Sequence, residues 1–306
     1  MCSPDSPLVE PSQGPSCNGL PTTCGGGANC CDASVVTGGT FKRSYDAGSF
    51  PDPSFPATVS DFRLDVYEVT VGRFRKFVAA YPGNLPTAGA GKNPSNPSDP
   101  GWMTSWSGSM PASQAALTSA LKCGKSIGNT GGETWTDAPA SNEDLPINCV
   151  TWYEAYAFCI WDGGRIPSEA EWNYASAGGG GADGQRMYPW SSPPTSTTVD
   201  DSYVVFCGGS CAFPQAVGNK APKGDGKWGQ ADMGGNVWEW VEDWFASTYT
   251  NPCVDCANST AGTDRGFRGG SFRDFPSSLY VSASFRSHAT PGTRVDYIGI
   301  RCAGAP

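Results

Sequence analysis

Charge is scarce in this chain of 306 residues: only 16% are charged, and a single histidine is present. The few charges are mostly acidic, giving a net charge of −9. That balance disfavours nucleic acid or an anionic membrane face as a partner. No apolar run approaches the roughly eighteen residues needed to cross a bilayer. No internal repeat at solenoid or propeller periods is found. Long periodic helices are missing as well, so the core must come from elsewhere. The opening residues, Met1-Cys-Ser-Pro-Asp-Ser6, hold no apolar signal core, so a secretory signal is either absent or removed.

What the chain has instead is Gly (40), Pro (26) and aromatics: eleven Trp, eleven Tyr and fourteen Phe. Turns and irregular loops therefore dominate, with rings filling the interior. Thirteen cysteines point to an oxidising, extracytoplasmic compartment. Cys2 followed by a Ser/Pro/Gly-rich stretch is the pattern of a mature bacterial lipoprotein, so a lipid anchor at Cys2 is the one expected membrane contact; an ordinary cysteine is the plain alternative.

Two regions are expected. Residues 1–35, rich in Cys, Pro, Ser and Gly, read as a tether, and residues 36–306 as one domain. In the tether, Cys17, Cys24, Cys30 and Cys31 leave two pairings once the strained vicinal bridge is set aside. In the domain, Phe62, Leu64 and Val66 alternate as in a strand. Thr70 caps a helix with Phe74, Phe77, Val78 and Tyr81 on one face. Residues 115–121 form a short helix. Thr151 with Glu154, and Ser168 with Glu171, are capping boxes that open two more helices. Residues 178–230 read as loops and short strands, and residues 268–272 and 298–302 as short core strands.

The stretch from Gln230 to Trp244 carries the densest signal: Trp238, Trp240 and Trp244 follow a bend at Gly234-Gly235. Asp232 and Glu239 flank that bend. Such a loop can aim carboxylate and carbonyl oxygens at one hard cation such as calcium. Without a metal, the same residues are a strand after a turn with its acids in water.

The ordered set Asp65-Val-Tyr-Glu-Val-Thr-Val71, Pro146-Ile-Asn-Cys-Val-Thr-Trp152, Gly164-Arg-Ile-Pro-Ser-Glu-Ala-Glu-Trp172, Asp232-Met-Gly-Gly-Asn-Val-Trp-Glu-Trp240, Arg268-Gly-Gly-Ser-Phe272 and Gly299-Ile-Arg-Cys302 resembles the formylglycine-generating (sulfatase-modifying factor) enzyme family. The resemblance implies an irregular, loop-rich α+β domain related to C-type lectins. It implies calcium held by the Asp232 side chain, the Gly235 and Val237 carbonyls and the Glu239 side chain. It implies a Cys159–Cys302 disulfide; Cys123–Cys149, Cys207–Cys211 and Cys253–Cys256 would complete the domain's bridges. At Cys253-Val-Asp-Cys256, zinc or redox chemistry is the alternative. The family's groove maps onto Trp238 and Ser271, with Asp274 and Arg286 beside them.

One departure decides the expected chemistry. The copper enzymes carry cysteines at the third and eighth residues after Gly-Gly-Ser, a pair of thiolates suited to Cu(I). Here those positions are Asp274 and Leu279 (Ser278 with a one-residue gap). Copper is therefore not expected, and one histidine, His288, is too few for the family's iron branch. Ser271, Asp274 and His288 remain as acid–base candidates. The reading favours a module binding a protein, peptide or small molecule, with a maturation enzyme or oxidoreductase as the alternative. A second alternative comes from residues 272–297, which lack Lys, Glu, Gln, Trp and Met, so every residue can be written with pyrimidine-ending codons. Related folds serve as variable binding proteins of diversity-generating retroelements; ordinary drift in a loop-rich region is the plain account. The missing thiolates predict that purified, copper-loaded protein leaves a sulfatase-type cysteine peptide unchanged by mass spectrometry. Conversion to formylglycine would contradict this.

Overall fold

The computed structural model describes residues 9–11, 14–20, 24, 29–124, 131–181, 184–208, 213–275 and 279–306. Strand β5, Phe62–Asp65, forms where Phe62 and Leu64 alternate with Arg63. It sits inside an antiparallel sheet ordered β1-β2-β5-β10, where β1 is Val9–Pro11, β2 is Asp32–Val36 and β10 is Ala303–Gly304. A hairpin of β3, Gly39–Lys42, and β4, Pro56–Val59, lies between β2 and β5 in the chain. The capped helices form as the sequence predicts. They are α1, Val71–Ala80; α2, Gln114–Ala120; α3, Trp152–Trp161; and α4, Glu169–Ser176. Thr151 and Ser168 each make the reciprocal capping-box bonds with Glu154 and Glu171.

The second sheet is ordered β8-β7-β6-β9 and follows the tryptophan stretch. Its members are β6, Trp238–Trp244; β7, Arg265–Arg268; β8, Ser287–Ala289; and β9, Ile298–Gly299. Strand β9 runs parallel to β6 and the other pairs are antiparallel. Between this sheet and helices α1 and α3 lies the main core, with Phe74, Phe77, Trp102, Trp152, Phe158 and Trp240 among its members. Inside it the Arg265 guanidinium lies 3.7 Å from the ring centres of both Trp152 and Trp244. A cation stacked between rings brings its own favourable contact into an aromatic interior.

Three expectations need correction. The described parts of residues 1–35 are not a tether. Strand β2 runs across the expected boundary, and Cys24 and Cys30 pack against Val66, Tyr67 and Val217. Ser16 is fully buried; its N–H and Oγ each donate to Asp162 at 2.7 Å, and Arg73 Nε donates to its Oγ. Arg73 also bridges Asp65 at 2.8 Å and Asp162 at 2.7 Å. Burial works against its charge, but the two carboxylates outweigh it and raise the guanidinium further. This polar knot seats the segment together with the apolar packing of Cys24 and Cys30. Second, the described part of residues 178–230 holds no strand, only an isolated bridge from Val205 to Gly235. Stacking of Tyr188 on Trp190 and of Trp190 on Tyr203 organises it instead. Third, β7 ends at Arg268. Gly269 and Gly270 have φ of 107° and 75° and turn the chain away. A Cβ on Gly270 would meet Val281 at 2.8 Å.

The disulfides Cys159–Cys302, Cys123–Cys149 and Cys253–Cys256 are present, so the last pair offers no thiolates for zinc. Cys207 is disulfide-bonded, and Cys211 lies outside the described residues, as does Cys2. Of the two pairings left open near the start, the structure has Cys17–Cys31 with Cys24–Cys30.

Removing Asp162 unhooks Ser16 and leaves Arg73 half-compensated. Asp162→Ala is expected to cost about 3–5 kcal/mol in urea unfolding. A loss below about 1 kcal/mol would mean that the knot is not what seats the segment.

Candidate ligand groove and carboxylate centre

Strand β6 separates two sites. On one side, Glu239 points into a buried cluster of charge. Arg301 donates to it from Nε at 3.1 Å and from Nη2 at 2.8 Å, and Trp172 Nε1 donates to Oε2 at 2.6 Å. Arg301 spends its remaining N–H groups on the carbonyls of Asp65, Val66 and Ala231. Nearby, Glu68 accepts from the Asn236 side chain at 2.6 Å and from the Val237 N–H at 3.1 Å. Asp232 accepts from the Gly218 N–H at 2.5 Å. The chain bends between these acids through positive φ at Asp232, Gly235 and Asn236.

Acids outnumber bases here. Burial, with Asp232 and Glu239 adding to it, pushes the Glu68 carboxyl well above its usual range. Burial pushes Asp232 up to about 6, despite Arg301 and Lys220, and does the same to Asp225 with help from Asp232. The donors are hard oxygens with negative charge in excess, the kind of ligand calcium takes, but no three of these carboxylates bring their oxygens within 4.8 Å of one another. Of the expected side-chain ligands, Glu239 is engaged by Arg301 and Trp172 and Asp232 by the Gly218 N–H. Sequence reasoning missed Glu68, Asp225 and the central place of Arg301. Glu68 and Arg301 stand in the quoted motifs, but spacing alone does not show that they meet. Among the described residues the one close set of three possible metal donors is Cys24, Cys30 and Asp144, and it offers no thiolate because its cysteines are bonded to each other.

On the other side of β6 lies a groove of about 390 Å³. Trp238, Phe267, Tyr280, Phe285 and Tyr297 give it aromatic walls, and Ser271, Asp274 and His288 lie within it. The Asp274 carboxylate accepts from the Ser271 N–H at 2.7 Å and the Ser271 hydroxyl at 2.9 Å. Burial raises this carboxyl, while Ser271 and the Trp238 indole hold it back. Ser271 thus gives its proton to Asp274, not to His288, and serves the loop. His288 is exposed at the groove. It sits on β8, its Nδ1 is 2.6 Å from Asp264 Oδ2, and its ring stacks on Phe245 at 3.9 Å.

Arg286 is corrected: it does not line this groove. Its neighbour Phe285 does, and Arg286 turns to the opposite side. There it donates to the Ala246 and Ser247 carbonyls, pairs with Glu169 at 3.4 Å and stacks on Tyr249. Burial works to raise Glu169, but Arg268 and Arg286 pull it below its usual range. Leu279 is also no part of the groove lining; Tyr280 takes that place, and Ser278 lies outside the described residues.

The irregular fold, the β6 motif and the groove define a sulfatase-modifying-factor type of domain. The family model of the sulfatase-modifying factor enzyme 1-like domain matches residues 25–306, and the chain belongs to that family. It is 32% identical over 201 residues to the formylglycine-generating enzyme of Streptomyces coelicolor, covering 57% of this chain and 59% of that protein. It is 34% identical over 170 residues to the hercynine oxygenase of Mycolicibacterium smegmatis, covering 52% of this chain and 37% of that protein. The chain thus spans about half the length of the curated relatives it matches. Among solved structures, PvdO from Pseudomonas aeruginosa superposes with a TM-score of 0.61 at 20% identity, covering 97% of this chain and 99% of that one. Treponema denticola variable protein 1 does so with 0.57 at 18%, covering 98% and 100%. At these identities the likeness is one of fold.

The raised Asp232 carboxyl gives a signed prediction. A folded-state pKa above the unfolded one supplies stability below about pH 4, and that stability is lost as pH rises through about 6. In chelator, Asp232→Asn should therefore gain stability relative to the parent between pH 5 and 7. The two-unit shift caps the gain at about 3 kcal/mol. Parallel pH profiles of the two proteins would contradict the assignment.

Proposed function

We propose that this protein is an extracytoplasmic, calcium-stabilised binding module of the sulfatase-modifying-factor family, without copper-type formylglycine-generating activity. Its ligand, a protein, peptide or small molecule, occupies the aromatic groove beside β6. The observation that carries the reading is Asp274. It stands at a copper-ligand position of the related enzymes, and its carboxylate is tied to Ser271 inside an aromatic groove. Neither Asp274 nor Leu279 supplies a soft ligand for Cu(I). Five disulfides among the described residues support the extracytoplasmic placement. No described helix is long and apolar enough to cross a membrane. A lipid on Cys2, which precedes a Ser/Pro/Gly-rich stretch, is the membrane contact of this reading. Calcium would be held by Asp232, the Gly235 and Val237 carbonyls and Glu239, whose carboxylate also meets Arg301; bound there, it supplies countercharge rather than chemistry.

Two other readings have an observation each. The His288–Asp264 pair opens on the groove and could serve a family oxidoreductase or maturation enzyme as acid–base group. Oxygen-dependent turnover lost in His288→Ala would favour it. Most groove-lining residues belong to 272–297, while Trp238, Phe267, Ser271 and Ile298 frame them. That division suits a variable binding protein, and a source-genome repeat differing only at adenines would support it.

Two outcomes are expected. At pH 7, millimolar calcium should raise the melting temperature by several degrees over chelator, and the rise should shrink at pH 5 and in Asp232→Asn. An equal rise in that variant would remove Asp232 from the site. Peptides selected from a displayed library should bind saturably and lose about tenfold or more in affinity on Tyr280→Ala, about 1.4 kcal/mol, with little change on Arg286→Ala. Selected peptides indifferent to Tyr280 would place binding elsewhere.

A further inference from the structure

A second hollow, of about 420 Å³, lies where the chain leaves α4. Gly178, Gly181 and Gly184 form one side of it and Pro193-Pro194 another, with Arg186 and Lys227 both in the lining. No carboxylate is among its described lining residues. Five arginines elsewhere, Arg73, Arg165, Arg268, Arg294 and Arg301, are each paired to an acid, whereas Arg265 rests between rings and on the Glu242 carbonyl. Acids outnumber Lys and Arg by 29 to 20, so counter-ions are plentiful. Yet Arg186 donates from Nη1 to the Pro189 carbonyl at 2.6 Å, and Lys227 Nζ to the Gly178 carbonyl at 3.2 Å. Both contacts are to neutral oxygens.

The backbone is shaped for this arrangement. Gly178 has φ of 71°, and a Cβ there would come within 3.0 Å of the Arg186 side chain, so the glycine lets the arginine lie across it. Lys227 offsets the partial negative charge at the end of α4 by meeting the Gly178 carbonyl. Burial lowers Arg186, and no acid among the described residues acts to restore it.

We propose that this hollow binds the phosphate or sulfate group of a small polar molecule. A guanidinium offers fork-shaped donors to a tetrahedral oxyanion, and an ammonium beside it adds a point charge. The Ser192 side chain lies in the same lining. An oxyanion fills only part of this volume, which is of the size that holds small-molecule ligands. The rest takes the body that carries the anion, against a proline wall with no aromatic ring. The site is separate from the groove beside β6 and does not depend on what that groove binds.

Calorimetric titration tests it with inorganic phosphate, inorganic sulfate and glucose 6-phosphate, at an ionic strength fixed with chloride. The full chain should bind at least one of them saturably. Arg186→Gln and Lys227→Gln should each weaken binding about tenfold or more, while Arg186→Lys retains part of it and controls for folding. Tighter binding of glucose 6-phosphate would identify an ester as the ligand, and tighter binding of the free ions would identify the ion itself. Asp183 lies outside the described residues, so Asp183→Asn is included. Binding that appears only in that variant would mean the chain supplies its own counter-charge, and would overturn the proposal. Absence of saturable binding, or equal binding in both Gln variants, would overturn it too.

Discussion

The buried contact between Arg301 and Glu239 is the constraint on which the rest of the molecule depends. Both side chains are almost wholly inaccessible, and the guanidinium reaches a carboxylate and three carbonyls from separate parts of the chain. It holds the start of β6 at Glu239, whose carboxylate in turn accepts from Trp172 of α4. The next residue, Cys302, is bonded to Cys159 in α3. Two adjacent residues near the C-terminal end therefore tie the helices, both sheets and the β6 strand together. A chain with so little regular structure needs such ties, because loops supply few repeating hydrogen bonds of their own. Removing one partner of a buried pair is costly, since the other charge is left without compensation.

That arrangement also explains how the two faces of β6 differ. One face carries a crowd of acids around a single guanidinium, a charged and rigid interior. The other face carries Trp238 and opens to solvent as an aromatic groove. Part of the groove lining, Ser271, Asp274, Tyr280 and Phe285, lies in the irregular segment after β7, while Trp238, Phe267, Ser287, His288, Ala289 and Ile298 belong to the sheet itself. Family membership thus fixes the scaffold, and the chemistry follows from the particular side chains in the groove.

Much of this was legible in the sequence wherever a local rule decided the outcome. Thr151 and Ser168 open helices because their partners stand three residues on, and the alternation of Phe62 and Leu64 makes a strand. The quoted motifs gave the family and the Cys159–Cys302 bridge. What escaped was decided by distant partners. Ser16 is buried because Asp162 and Arg73 need it, which no composition of residues 1–35 reveals. Arg286 sits one residue from a groove-lining phenylalanine, and its direction depends on Glu169 and Tyr249. His288 is placed on a strand by pairing with β7, and its Asp264 partner lies 24 residues away. Glu68 joins the carboxylate centre only because β5 and β6 approach through Arg301.

The binding module proposed above is a disulfide-locked scaffold that would hold calcium and not the family's redox metal. Elemental analysis of the native protein, paired with a thiol count after denaturation, tests this most directly. The account predicts calcium without copper or iron, and at most one free thiol. A stoichiometric redox metal, or two or more free thiols, would contradict it and bring an enzymatic centre back to the front.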